Sequence, residues 1–125
     1  MIRGVRGATT VSANSEAEII AATEEMLAKV IEVNQIQPES VASVLISTTE
    51  DIDAAFPAKA LRKFEGWTYV PVMCMREIPV PGSLKKCIRV MMHVNTSVSQ
   101  QDIHHVYLKG AVVLRPDLGS SQQQD

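Results

Sequence analysis

The sequence predicts an α+β protein: a mixed β-sheet packed with helices on one face. Three observations carry that expectation. Short apolar segments rich in β-branched residues recur along the chain, one long segment carries a helical stripe, and the order reads β-α-β-α-β-β-β. No repeat or linker interrupts this order, so residues 1–117 read as a single domain and 118–125 as a flexible polar tail. A chain of 125 residues buries a smaller fraction of its surface than a larger one. A subunit interface would therefore help it.

Each element has its own signal. Residues 2–11, IRGVRGATTV, read as a strand whose glycines, Gly4 and Gly7, would let a backbone or a ligand approach closely. Residues 14–34 form the clearest helix. Ser15 and Glu18 fit a capping box, and Ile19, Ala22, Met26, Val30 and Val33 make one apolar stripe. Residues 40–48, SVASVLIST, read as a strand buried on both faces. Residues 57–64 read as a short helix with Pro57 at its first position and Gly66 beyond its end. A strand over 68–75 carries Pro71, which suggests an edge or a bulge. After a loop at 77–83 come strands over 86–94 and 103–108 and a short extended or turn segment at 111–114.

Composition excludes several classes. With 46% hydrophobic and 21% charged residues the chain has the make-up of a globular protein. A net charge of −2 with scattered Lys and Arg gives no electrostatic case for nucleic acid. The longest apolar runs are far below the ~18 residues of a membrane span. Met1 leads straight into the first strand, without a signal peptide, and Cys74 and Cys87 form no CxxC pair. A cytoplasmic protein with reduced thiols is expected.

The polar residues inside strands are the informative ones. In KCIRVMMHV, Ile88, Val90, Met92 and Val94 share one face, plainly core. Cys87, Arg89, Met91 and His93 share the other. Arg89 there makes either an ion pair at a strand edge or a ligand contact. Arg3 and Arg6 differ by three positions and point to opposite faces, unless Gly4 makes a bulge. Lys59 and Arg62 on the short helix suit solvated surface, Glu77 suits a solvated loop, and Tyr107 suits a core edge. His93, His104 and His105 lack a carboxylate at ligand spacing, so no metal is expected. No nucleophile–base pair and no phosphate loop is legible. Pattern alone therefore yields an anion site of strand arginines, a glutamate and a tyrosine, with planar guanidinium forks suited to carboxylates.

The segments IRGVRGATTV, FPAKALRKFEGWTYVPV, GSLKKCIRVMM and HVYLKGAVVLRPDL together resemble the trimeric, monofunctional chorismate mutases of the pseudo-α/β-barrel type. The likeness runs from Ile2 to Asp117. It implies a homotrimer whose sheets form a pseudo-α/β barrel, with each active site in a cleft between neighbouring subunits. It implies an isomerase that rearranges the chorismate dianion to prephenate, on the route to phenylalanine and tyrosine, without a cofactor. It places Arg89, Glu77, Arg6, Tyr107 and Cys74 at the reaction. It places Phe56, Ala58, Lys59, Arg62, Val72, Met73, Leu114 and Arg115 around the substrate. Relatives often carry a smaller hydroxyl residue where this chain has Met73. The competing class is a trimeric carboxylate-binding module or a Rid-type imine deaminase, which also place a strand arginine in an interface cleft.

Overall fold

The computed structural model describes residues 1–114. Arg115 and the expected tail at 118–125 lie outside the described residues. The strands are β1 (Ile2–Thr10), β2 (Val41–Thr48), β3 (Val72–Arg76), β4 (Cys87–Asn95) and β5 (Val106–Tyr107), and one α-helix, α1, spans Glu16–Asn34. They form one mixed sheet in the order β3-β2-β4-β1-β5. β4 runs antiparallel to both β1 and β2, while β3 and β5 lie parallel to β2 and β1. Among the described residues no helix is long and apolar enough to cross a membrane.

α1 begins as expected, with the Glu18 amide donating to Ser15 Oγ at 3.3 Å. The capping box is only half made. The Glu18 carboxylate turns instead to Ser12, accepting from its backbone N–H at 2.5 Å and its hydroxyl at 2.6 Å. The first satisfies an orphan donor of the helix, and the second ties the incoming loop at Ser12 to its first turn. Ile19, Ala22, Met26, Leu27 and Val30 then bury one side of α1 against the sheet. Their partners include Val5, Val44, Ile46, Val90 and Met92, all nearly inaccessible. The residues of 57–64 form a 3₁₀ helix, Pro57–Lys63, on the same side as α1. One face of the sheet is thus covered.

Gly7 is where the helix comes closest. A Cβ there would stand 2.8 Å from Val30 Cγ2 and 3.0 Å from Val90 Cγ1. The close approach at Gly7 is thus made by side chains of α1 and β4, not by a backbone or a ligand. Gly7→Ala should cost about 1–3 kcal/mol through overpacking, read as a lower Tm in thermal unfolding. An unchanged Tm would show that α1 can shift outward freely.

Three sequence expectations need correction. β2 is not buried on both faces: Val44 and Ile46 are buried, whereas Ser43, Leu45 and Ser47 are only half-buried, because none of the described residues packs over its second face. The last strand is Val106–Tyr107, far shorter than 103–108. The side chain of Asn34 holds His104 instead, donating to its carbonyl at 2.8 Å and accepting from its amide at 2.9 Å. The strand expected over 68–75 begins only at Val72 and runs to Arg76. The segment at 111–114 takes the turn alternative, within and just after the 3₁₀ turn Lys109–Val113. The Pro71 signal held, since β3 is an edge strand. β1 pairs with β4 in unbroken register, so Gly4 makes no bulge, and Arg3 and Arg6 do face opposite ways. Arg3 donates to the Val98 carbonyl at 3.1 Å.

Candidate active site

The other face of the sheet, covered beside β1 and β5 by the 3₁₀ turn Lys109–Val113, carries a cleft of about 380 Å³. β4 is the middle strand, so Arg89 rises from the centre of the sheet and not from an edge. Its ladder neighbours are small, Ala8 on β1 and Ser47 on β2, and they leave room for the guanidinium. Arg6 projects from β1 on the same face, and Tyr107, opposite Ala8 on β5, closes the far side. Glu77 follows β3 directly. Its amide donates to the Thr48 carbonyl at 2.8 Å, which prolongs the ladder and aims its side chain at Arg89. Leu114 completes the rim.

Within the chain Arg89 faces Glu77. Nε donates to Oε2 at 2.7 Å and Nη2 to Oε1 at 2.5 Å, a side-on bidentate pair. The Ser47 hydroxyl also donates to Glu77 Oε2. The hydrogen bonds from Arg89 hold the Glu77 carboxyl below its ordinary range; burial opposes this and Ser47 reinforces it. Glu77 in turn strengthens the hold of Arg89 on its proton. Among the described residues the Arg6 guanidinium has no ion pair. The Tyr107 hydroxyl is buried without a hydrogen-bond partner there. Two cations against one carboxylate leave the cleft with a positive excess. A buried hydroxyl without a partner and a guanidinium without an ion pair, among the described residues, both suit an oxygen-rich anion.

The structure thus brings together Arg6, Glu77, Arg89, Tyr107 and Leu114. Among the described residues it does not bring Phe56, Ala58, Lys59, Arg62, Val72, Met73 or Cys74 into this cleft. Phe56, Ala58, Lys59 and Arg62 lie on or beside the 3₁₀ helix, on the α1 side of the sheet. Lys59 pairs with Glu16 at 2.8 Å, and Phe56 is 71% exposed. On β3, Val72 and Cys74 stand beside Val44 and Ile46, so their side chains face the α1 side. Cys74 packs against the main core, away from Arg89. Met73 faces the other way and is 62% exposed.

Several cleft residues were not among the expected site residues, including Leu45, Ser47 and Met75, and Met91 was expected on the Arg89 face but not in the site. A signal existed for Ser47. Ser43, Leu45 and Ser47 alternate with apolar Val44 and Ile46, which marks a half-covered strand.

Both cysteines are free thiols. Burial pushes the Cys87 thiol up to about 11, partly countered by the charge of Arg89. An aromatic disulfide reagent at pH 8 should therefore titrate at most one thiol per folded chain. Prompt reaction of two would mean that the head of β4 opens readily.

A cleft of this kind defines an enzyme class that works by holding an anion among fixed donors and carboxylate. The family model for chorismate mutase type I matches residues 2–118. The chain is 55% identical over 125 residues to the chorismate mutase AroH of Bacillus subtilis, covering 100% of this chain and 98% of the relative. It is 49% identical over 123 residues to the chorismate mutase AroH of Thermus thermophilus, covering 98% and 100%. A solved chorismate mutase from Clostridium thermocellum superposes with a TM-score of 0.85 at 54% identity, covering 88% of this chain and 97% of that one. The chain belongs to the chorismate mutase type I family, and the activity of that family is an isomerisation.

Proposed function

We propose that the chain forms a cytoplasmic homotrimer that converts chorismate to prephenate in the cleft around Arg89, with 1–117 as the catalytic domain and 118–125 as a flexible tail. The observation that carries the reading is the convergence of Arg6, Arg89, Glu77 and the unpartnered Tyr107 hydroxyl in one cleft. Chorismate carries two carboxylates, an enol-ether oxygen and a ring hydroxyl. Its rearrangement breaks a C–O bond and forms a C–C bond in one pericyclic step. No proton moves, so catalysis reduces to holding the chair-like conformer and stabilising the charge separation.

The roles follow from that chemistry. Arg89 donates to the ether oxygen, where negative charge grows, and to a nearby carboxylate. Arg6 and Tyr107 hold carboxylate. Glu77 accepts from the ring hydroxyl and favours the positive ring. Phe56, Ala58, Lys59, Arg62, Val72, Met73 and Cys74 come from a neighbouring subunit, with Cys74 near the ring hydroxyl and the cations drawing in the dianion. Leu114 and Arg115 guard the mouth. Support for the assembly comes from β3, an edge strand whose Val72, Met73 and Met75 are all exposed in the single chain. Such an edge is ordinarily covered.

The test is direct. Purified protein should consume chorismate, followed by its ultraviolet absorbance, and should have three times the chain mass in solution. Unchanged chorismate would overturn the activity, and a monomer at micromolar concentration would overturn the shared site.

A further inference from the structure

We infer that Ser47 is a positioning residue for this reaction, whose hydroxyl fills one oxygen of Glu77 and so leaves the other to the substrate. The inference rests on the chorismate reading of the cleft and goes beyond it by assigning a residue and an atom. Ser47 on β2 stands opposite Arg89 on β4 in the ladder, and both reach the same carboxylate.

A count of acceptor sites gives the role. A carboxylate offers about four, two on each oxygen. Oε2 receives Arg89 Nε and the Ser47 hydroxyl, so it is full. Among the described residues Oε1 receives only Arg89 Nη2. The one open acceptor site belongs to Oε1, and the ring hydroxyl of the substrate must use it. On the other partner, two of five guanidinium N–H groups serve Glu77 and three remain for the ether oxygen and a carboxylate.

Without the serine hydroxyl, Oε2 regains an open site. The terminal torsion of a glutamate is broad, so its carboxylate plane can then rock against Arg89. The substrate hydroxyl can meet either oxygen, and the remaining Arg89 donors no longer hold one direction. Misaligned donors lower the rate of the chemical step more than they weaken binding.

Steady-state kinetics across pH on Ser47→Ala, Ser47→Thr and Ser47→Cys, beside the wild type, test this. Ser47→Ala should lower kcat about tenfold with KM changed less than about threefold. Its acid limb should move to higher pH, because a hydrogen bond to charged Glu77 is lost. Ser47→Thr keeps the hydroxyl and should restore both readouts. If Ser47→Ala fails to fold, Ser47→Cys, nearly the same size but a weak donor, should show the same two changes. A folded Ser47→Ala with wild-type kcat and acid limb, or with a changed KM alone, overturns the inference while the activity stands. A wild type that leaves chorismate untouched overturns the parent reading and this inference with it.

Discussion

Arg89→Ala should lower kcat at least 10²–10³-fold, the loss typical of one preorganised donor at a developing oxyanion, about 3–4 kcal/mol. The ether oxygen carries little charge in the ground state and more as the bond breaks. A donor aimed at it therefore binds the transition state preferentially, and kcat falls more than KM rises. Arg89→Lys keeps the charge but cannot pair side-on with Glu77 and still direct donors to substrate, so it should recover only part of the loss. Binding of a stable transition-state analogue should weaken in step with kcat/KM. Folding should survive, because the side chain is 49% exposed and its ion pair is worth only about 0.2–1 kcal/mol to stability. Circular dichroism checks that point. A change in kcat below about tenfold would make Arg89 a structural partner of Glu77 and nothing more.

Glu77→Gln should lower kcat by about 10²-fold for the complementary reason. The amide has the size of the carboxylate but not its charge, so the cationic character of the ring loses its counter-charge. Its NH₂ group also cannot accept from Arg89, so whichever way the amide faces, one of the two hydrogen bonds from Arg89 is lost. The pH dependence carries the same signature. The folded-state pKa of Glu77 is depressed below its ordinary value of 4.5. Its pair with Arg89 therefore stabilises the fold fully above that value, and the contribution disappears as pH falls through the depressed folded value. In the wild type the acid limb of kcat/KM set by this group should lie below pH 4.5. Glu77→Gln should abolish that limb. A glutamine variant with wild-type kcat would place Glu77 outside the chemistry.

Local patterning was enough to read much of this protein from its sequence. The α1 stripe, the Ser15 cap, the interior face of β4 and the edge position announced by Pro71 all rest on contacts within a few residues or on a period of two or 3.6. The oddity of Arg89 was legible for the same reason, since a charge in an apolar strand stands out against the alternation around it. The resemblance of four segments to one family added which anion and which rearrangement. The comparisons agree on the family.

What Arg89 faces was decided only by tertiary structure. Glu77 is 12 residues away and Ser47 is 42 away in sequence, and no local period connects them. They meet because β3 and β4 flank β2, so the order of strands across the sheet places a loop carboxylate, a serine and an arginine side by side. Strand order also separated the expected residues into two groups. Arg6, Glu77, Arg89 and Tyr107 face the open side of the sheet, whereas Cys74, Lys59 and Arg62 lie on the α1 side. A strand pattern states which residues share a face but not what covers that face, because covering is a property of distant chain or of another subunit. β2 illustrates the limit: its apolar run reads as buried twice, yet only one of its faces meets α1 within a single chain.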